Sequence, residues 1–221
     1  MARLKEYNGH YCESEYEYAF IGFLEAEGWK YSSGNNISRV TKRDVLIADD
    51  FKKFIADTNP DLTEEEVTQI YDNVRLVGAE SDFATLHKVY GWMVNGVQLT
   101  PQDGLPRIIP LIDFDNWDKN IFRVVNQFTV EYTNNGQKEN RRPDVLLFVN
   151  GIPLCVVELK NPADANATIY DAWEQINIRY WRDIPHLLHY CPLACISDGV
   201  KTRLGTVRTP YEHFYAWRRV T

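Results

Sequence analysis

The sequence predicts an α/β protein in which a helical lobe precedes a core of strands and helices. Apolar side chains recur with the 3.6-residue period of helices in the first part of the chain. Short β-branched runs separated by turn residues follow in the second part. We therefore expect one domain over residues 1–221, with residues 1–98 forming the lobe and the first core helix, and residues 117–209 forming the α/β core.

The lobe is predicted from helices whose starts or ends carry recognisable signals. The first helix is amphipathic and ends at Gly28. Thr63 followed by Glu66 has the spacing of a capping box, and Ser81 is suited to cap the next helix. In chain order, the predicted helices of the lobe span residues 13–28, 44–57, 63–77 and 81–95.

The core is predicted from apolar runs that follow a connection rich in proline and aspartate at residues 99–118. The sequence Asn134-Asn135-Gly136 is a turn signal that ends the first strand. In chain order, the predicted strands span residues 121–132, 145–149, 152–157 and 193–197, and a helix spans residues 168–182.

A tight hairpin joins the two central strands of this prediction. The pair Asn150-Gly151 favours a two-residue turn, which fixes the register of the strands that it connects. Val149 then faces Ile152, and position 144 faces position 157. Glu158 is therefore expected about one residue from Asp144 across the strands.

Two acids and a lysine are expected at one edge of this sheet. Alternation along the strand places Glu158 and Lys160 on one face, and it turns Val157 and Leu159 toward a core. Paired carboxylates such as Asp144 and Glu158 suit Mg²⁺, which prefers oxygen ligands and retains waters. The simpler interpretation is a solvated salt pair at a strand end. However, a carboxylate that interrupts an apolar run costs several kcal/mol when buried unpaired, which favours a metal or a cationic partner.

The residues around these acids resemble a known family. The string R-R-P-D-V-L-L-F-V-N-G-I-P-L-C-V-V-E-L-K-N-P and the later I-S-D-G are similar to the N-terminal nuclease domain of the type I restriction endonuclease R subunit. The match is strongest over residues 117–209, and residues 13–29 resemble the family's opening helix. The resemblance implies a PD-(D/E)xK nuclease core, with a central mixed sheet flanked by helices.

The resemblance also implies a chemistry, which is Mg²⁺-dependent hydrolysis of phosphodiester bonds in double-stranded DNA. Asp144 and Glu158 would hold the metal, with the Leu159 carbonyl as a further candidate ligand, and Lys160 would position the attacking water. The implied partners are the methyltransferase and specificity subunits of a restriction complex. ATP would serve only the motor domains, whose G-x-x-x-x-G-K-[ST] motif does not occur in this sequence. We expect the chain to be a nuclease domain from a longer subunit.

Three supporting residues are also implied by the resemblance. The family places a glutamine and a tyrosine after the lysine as Q-x-x-x-Y, whereas Gln175 and Tyr180 are one residue further apart. Either a π-bulge absorbs the extra residue, or one of the pair has lost its role. Tyr180 could equally be a packing aromatic. A glutamate of the first helix, Glu17 or alternatively Glu13, would approach the metal site, or it would lie on a solvated acidic face.

The net charge of −7 is unusual for a protein that binds DNA, because affinity for DNA comes largely from cations that neutralise phosphates. Either partner domains deliver the DNA, or the chain does not act on it. Arg141, Arg142 and Arg179 are the expected DNA-binding residues, unless they form only a solvated face. Further basic residues that follow the acidic pair are Arg182, Lys201, Arg203 and Arg208.

Composition indicates a globular protein, with 44% hydrophobic and 13% aromatic residues. The sequence has no apolar run of membrane-spanning length and no signal peptide, which favours the cytoplasm and no membrane partner. The four cysteines lack zinc-ligand spacing, and the histidines are expected to pack or lie at the surface. Two alternatives to a DNA endonuclease stay open: a catalytically idle docking module between motor and methyltransferase subunits, and a solitary nuclease of RNA or single strands.

Overall fold

The computed structural model describes residues 13–77, 81–101, 104–161 and 168–216, which form a mixed α/β structure. The helices are α1 (Glu13–Ala26), α2 (Ala48–Thr58), α3 (Glu64–Arg75), α4 (Asp82–Asn95), α5 (Ile169–Glu174), α6 (Trp181–Asp183) and α7 (Pro185–Leu188). A π-helical segment, Gln175–Tyr180, joins α5 to α6. Short 3₁₀ turns lie at Gly34–Asn36, Trp117–Lys119 and Tyr211–His213.

The strands are β1 (Lys30–Ser33), β2 (Val97–Leu99), β3 (Arg107–Ile109), β4 (Phe122–Asn126), β5 (Val130–Asn134), β6 (Gln137–Arg141), β7 (Val145–Val149), β8 (Ile152–Leu159), β9 (Leu193–Ser197), β10 (Thr202–Thr206) and β11 (Tyr215–Ala216). Within the described residues, seven of them form one sheet in the order β1-β4-β7-β8-β9-β10-β11. The β1–β4 and β8–β9 pairs are parallel, and the other neighbours in this sheet are antiparallel. The strands β2 and β3, and likewise β5 and β6, form separate hairpins.

Helices cover both faces of the large sheet. On one face, α1 packs through Ile21 against sheet residues that include Val124, Val145 and Val157. On the other face, residues of α2, α3, α4, α5 and the π-helical segment share one large core with the opposite side chains of the same strands. Two apolar clusters, one on each face of the sheet, therefore hold the helices of the lobe against the strands.

The predicted helices of the lobe are confirmed, with one difference at a start. Thr63 and Glu66 form the expected capping box, and the Ser81 hydroxyl accepts a hydrogen bond from the Ala84 N–H. The segment predicted as helical from residue 44 becomes helical only at Ala48. Ile47 is extended because its N–H donates to the Gly151 carbonyl, 2.8 Å away, at the tip of the central hairpin.

The strand predictions require several corrections, and neither β2 nor β6 was predicted. The predicted strand 121–132 is two strands, β4 and β5, because Gln127 adopts a left-handed conformation with φ of 53° and redirects the chain. The predicted connection 99–118 contains β3, which pairs with β2. β1 within the lobe was not predicted, although it extends the large sheet beside β4. The run at 193–197 is not the last strand, since β10 and β11 continue the sheet beyond it.

The turn that joins β7 to β8 is the two-residue turn predicted from the sequence, with positive φ at Asn150 (51°) and Gly151 (74°). A side chain at Gly151 would collide with the Ile47 carbonyl, so this position requires glycine for close packing as well as for conformation. None of the described helices combines the length and the apolar composition that a membrane span requires.

Candidate active site

A β-bulge in the central hairpin brings the two predicted carboxylates to the same face of the sheet. Val149 pairs with Ile152 as expected, but the register shifts between Leu147 and Phe148, and Val145 pairs with Val157. The predicted pairing of position 144 with position 157 is therefore wrong. Directly opposite residues in an antiparallel pair share a face, so that register would have put Asp144 and Glu158 on opposite faces. The extra residue in β8 corrects this and sets Asp144 level with Glu158.

Glu158 is completely buried, and both oxygens of its carboxylate accept hydrogen bonds. The Tyr180 hydroxyl donates to Oε1 over 2.6 Å, and Gln175 Nε2 donates to Oε2 over 2.7 Å. Gln175 Nε2 also lies 2.9 Å from the Tyr180 hydroxyl oxygen. Glu158 is thus held by two neutral donors from the same helical segment.

The π-helical segment explains how Gln175 and Tyr180 reach the same carboxylate. On a regular α-helix, successive residues are separated by about 100° around the axis. Two residues five positions apart, such as Gln175 and Tyr180, would then point about 140° away from each other. The segment Gln175–Tyr180 is π-helical, which is the first of the two alternatives given for the sequence. The wider turn of this segment accommodates the extra residue. Tyr180 is buried, with a side chain that both packs in the core and contacts Glu158.

Lys160 and Asp144 complete the cluster at the end of β8. Lys160 Nζ donates to Gln175 Oε1 over 3.0 Å, while its backbone N–H continues the ladder with β9 by donating to the Ser197 carbonyl. Asp144 Oδ2 accepts a hydrogen bond of 2.8 Å from the Leu159 N–H, which fixes the carboxylate beside the strand. Gln175 therefore links the lysine to the buried glutamate.

The electrostatics of the cluster are dominated by burial. Burial, and next the negative charge of Asp144, raise the pKa of Glu158 well above its ordinary value, while the Tyr180 hydroxyl and Lys160 act in the opposite direction. Burial and the neighbouring Glu158 charge raise the pKa of Tyr180 well above its ordinary value, so this hydroxyl stays protonated and donates. A cation placed between the carboxylates would stabilise the ionised form of Glu158.

The donor set is suited to a hard divalent cation such as Mg²⁺. Two carboxylates offer hard oxygen ligands, whereas no group of three or more histidine, cysteine or acidic side chains forms a metal site in the part of the chain that the structure describes. A structural zinc site would require four protein ligands. Mg²⁺ commonly uses one or two carboxylates and fills its octahedron with water and substrate oxygens, so Asp144 and Glu158 fit it.

Glu17 lies on the α1 side of the sheet in a pocket of side-chain amides that the sequence did not indicate. The glutamate is buried, and it accepts hydrogen bonds of 2.6 Å from Asn126 Nδ2 and 2.7 Å from Gln127 Nε2. The Gln127 N–H in turn donates to the Asp144 carbonyl over 3.0 Å. Glu17 is thus connected to the backbone of Asp144 through Gln127, and its approach to a metal site stays a prediction. The side chain of Glu13 lies outside the described residues.

The three predicted DNA-binding arginines differ in their surroundings. Arg141 forms an ion pair with the buried Asp183, with 2.7 Å between Nε and Oδ2, so its charge is already compensated within the protein. Arg142 and Arg179 are exposed and line a cavity of about 660 Å³ next to Gln175.

The remaining basic residues singled out from the sequence have separate environments. Arg182 pairs with Asp183, Arg208 pairs with Asp82, and Arg203 stacks over Tyr211. The sequence had suggested a single basic patch. In the structure, these three side chains contact three different groups instead. Lys201 is exposed in the turn between β9 and β10.

The I-S-D-G motif comprises the last two residues of β9 and the first two residues of the turn to β10. Asp198 Oδ1 accepts hydrogen bonds from the N–H groups of Val200 and Lys201. Gly199 has φ of 80°, and a side chain there would collide with the Tyr16 ring of α1. The motif therefore connects strands and packs against α1.

The side chains of His186, Cys155 and Cys191 contribute to packing. Burial lowers the pKa of His186 to about 4, with Arg43 contributing in the same direction, so its ring is neutral near pH 7. Burial raises the pKa of the Cys155 and Cys191 thiols, which keeps both protonated.

The fold and the site together define an α/β protein with two carboxylates and a lysine at one edge of a mixed sheet. Residues 11–213 match the family described as type I restriction enzyme R protein N terminus. The chain belongs to this family, as the resemblance of its motifs had indicated.

Curated relatives agree with this assignment. The chain is 36% identical over 214 residues to the putative type I restriction enzyme MjaIXP endonuclease subunit of Methanocaldococcus jannaschii, covering 92% of this chain and 20% of that protein. It is 30% identical over 222 residues to the type I restriction enzyme HindI endonuclease subunit of Haemophilus influenzae, and this match covers 94% of the chain and 20% of that protein. The chain thus spans about a fifth of the length of these relatives.

Proposed function

We propose that the chain is a Mg²⁺-dependent DNA endonuclease domain of a type I restriction enzyme, built on a PD-(D/E)xK core. The observation that carries this proposal is the meeting of Asp144, Glu158 and Lys160 at one sheet edge, with Glu158 fully buried. A buried carboxylate beside a second one is costly unless a cation compensates it. The names of the curated relatives, which are endonuclease subunits, support the same class of reaction.

Each side chain of the cluster has a distinct role in this proposal. Asp144 and Glu158 would hold the metal, with the Leu159 carbonyl as a further ligand. Bound Mg²⁺ supplies Lewis acidity toward the scissile phosphate and lowers the pKa of a coordinated water. Lys160, oriented by Gln175 Oε1, places its ammonium group where it can hold the attacking water and offset the charge of the transition state. Tyr180 and Gln175 orient the Glu158 carboxylate.

The proposed setting is a cytoplasmic restriction complex acting on double-stranded DNA. Methyltransferase and specificity subunits would supply sequence recognition, and motor domains outside this chain would consume ATP. The altered spacing of Gln175 and Tyr180 would favour the alternative of an idle docking module if one of the pair had lost its role. The π-helical segment removes that argument, because both residues contact Glu158.

The test is cleavage by the complete restriction enzyme carrying single substitutions in this domain. Asp144→Ala and Lys160→Ala should reduce double-strand cleavage to background while ATP hydrolysis continues, because chemistry and motor occupy different domains. Asp118→Ala and Lys119→Ala are the matched controls, since both side chains are exposed in the 3₁₀ turn at 117–119. Undiminished cleavage by both site variants would refute the site assignment.

Metal binding can be measured without any cleavage. Mg²⁺ should raise the Tm of the wild-type chain, since a ligand that binds only the folded state stabilises it, by about 2.7 kcal/mol at a hundred times its Kd. Asp144→Ala should abolish this increase, and Asp118→Ala should retain it. An equal increase in wild type and Asp144→Ala would place the metal elsewhere.

A further inference from the structure

A cationic cleft opens beside the proposed catalytic cluster. Its volume is about 660 Å³, and its charged lining consists of Lys42, Arg141, Arg142 and Arg179. Thr129 and Asn140 add neutral polar groups, and the lining includes no carboxylate. Such a concentration of positive charge is notable in a chain whose net charge is −7, and it selects an anionic occupant.

Three of the four cations are available to a ligand. Lys42, Arg142 and Arg179 are exposed, and none of them has an ion-pair partner within residues 13–77, 81–101, 104–161 and 168–216. Arg141 differs because the buried Asp183 already binds its guanidinium group. Arg141 is therefore less available to a ligand than the other three, and its role as a DNA ligand stays a prediction.

Separate elements hold the three available cations around the cleft. Lys42 belongs to the lobe, and its carbonyl accepts a hydrogen bond of 3.0 Å from the Glu131 N–H of β5. Arg142 lies between β6 and β7, two residues before Asp144. Arg179 belongs to the π-helical segment. The lobe thus contributes directly to a surface that adjoins the catalytic strands.

The cleft and the proposed site share two residues. Gln175 and Tyr180 line the cleft, and both donate hydrogen bonds to Glu158. An anion in the cleft would therefore lie next to the groups that orient the metal-binding carboxylate. A polymer whose scissile phosphate occupies the site would extend its neighbouring phosphates into this cleft.

We propose that this cleft binds the phosphodiester backbone flanking the scissile phosphate, through Lys42, Arg142 and Arg179. The inference rests on the proposed function. It specifies on which side of the catalytic cluster the DNA backbone lies. Arginine guanidinium groups suit phosphate oxygens because they can form two parallel hydrogen bonds, and Lys42 adds a point charge. Asn140 and Thr129 can donate hydrogen bonds without discriminating between bases.

The test measures binding of the chain to a labelled DNA duplex in EDTA, where no metal-dependent cleavage occurs. Lys42→Gln, Arg142→Gln and Arg179→Gln should each weaken binding and reduce the slope of log K against log salt by about 0.9, the value for one phosphate contact. In the triple variant, the slope of log K against log salt should fall by about three times the single-variant amount. Lys119→Gln changes the net charge equally but lies outside the cleft, so its slope should equal that of wild type. Circular dichroism and Tm measurements check that every variant is folded.

The outcomes separate this inference from the proposed function. If all three cleft variants keep the wild-type slope of log K against log salt while cleavage still depends on Asp144, the cleft does not bind the DNA backbone. The nuclease proposal would then stand. Reduced slopes together with cleavage that survives Asp144→Ala would support the cleft and overturn the nuclease site. A slope change in Lys119→Gln as large as in the cleft variants would indicate a general charge effect and overturn the assignment of these residues.

Discussion

At the scale of single residues, Glu158 shows how a carboxylate of the proposed site is held at a cost in stability. It follows the apolar residues of β8 and is completely buried. Its hydrogen-bond donors, Tyr180 and Gln175, are neutral and compensate its charge only in part. The pKa of Glu158 is raised because the charge is incompletely compensated: burial is the largest cause, and the negative charge of Asp144 is the next.

Replacing Glu158 with glutamine should stabilise the metal-free chain. The folded-state pKa lies above the ordinary 4.5, so the folded state binds more protons than the unfolded state, and stability falls as pH rises through this interval. Glu158→Gln should remove that fall and raise Tm near pH 8 by about 2–4 °C, equivalent to about 1 kcal/mol.

The measurement is Tm against pH in EDTA, with Asp118→Asn as an exposed control that should behave as wild type. Addition of Mg²⁺ should then raise the Tm of wild type and leave Glu158→Gln unchanged. A variant less stable than wild type at pH 8 without metal would show that the buried charge is compensated within the protein.

At the scale of elements, two irregularities build the site. The bulge in β8 turns Asp144 and Glu158 to the same face, and the π-helical segment turns Gln175 and Tyr180 toward Glu158. Each is a single extra residue within an otherwise regular element. Regular secondary structure would leave the same residues pointing in different directions.

The π-helical segment predicts a specific pattern of cleavage defects in the complete enzyme. Gln175→Ala and Tyr180→Phe should both reduce cleavage by about 10–100-fold, the usual effect of removing groups that orient metal ligands. Deleting the half-exposed Ile178 should restore a regular helix and a four-residue spacing, which keeps both side chains facing Glu158. Cleavage by this deletion variant should therefore stay close to that of wild type. A Tyr180→Phe variant with full activity would show that the hydroxyl only packs.

At the scale of the whole molecule, charge is distributed unevenly. The chain carries a net charge of −7, whereas the lining of the cleft beside the site is cationic. Affinity for DNA depends on the number of phosphates neutralised, and three available cations provide few such contacts. The rest of a restriction complex would have to provide most of the DNA affinity.

The chain by itself should bind double-stranded DNA weakly and without sequence preference. We expect a Kd no tighter than about 10⁻⁴ to 10⁻⁶ M near physiological salt, the range of non-specific contacts. Titration of two unrelated duplexes, monitored by fluorescence anisotropy, should give similar values for both. Nanomolar binding to one of them would mean that this domain reads sequence.

Much of the local structure was predictable because its signals are local. Thr63 with Glu66 and Ser81 marked helix starts, and Asn150-Gly151 marked the hairpin that carries the acids. The motif around Asp144, Glu158 and Lys160 was sufficient to indicate the family, and the spacing of Gln175 and Tyr180 was sufficient to raise the possibility of a π-bulge.

Tertiary structure alone decided the features that depend on distant contacts. β1 is a short strand that joins the sheet only because β4 offers a partner. Gln127 divides the predicted strand 121–132 because its backbone and side chain bind Asp144 and Glu17. The pairing of Arg141 with Asp183 and the approach of Lys42 to the cleft likewise join residues far apart in the chain. The sequence thus determined which groups carry the proposed chemistry, and packing between distant segments determined which faces they share and which charges stay available.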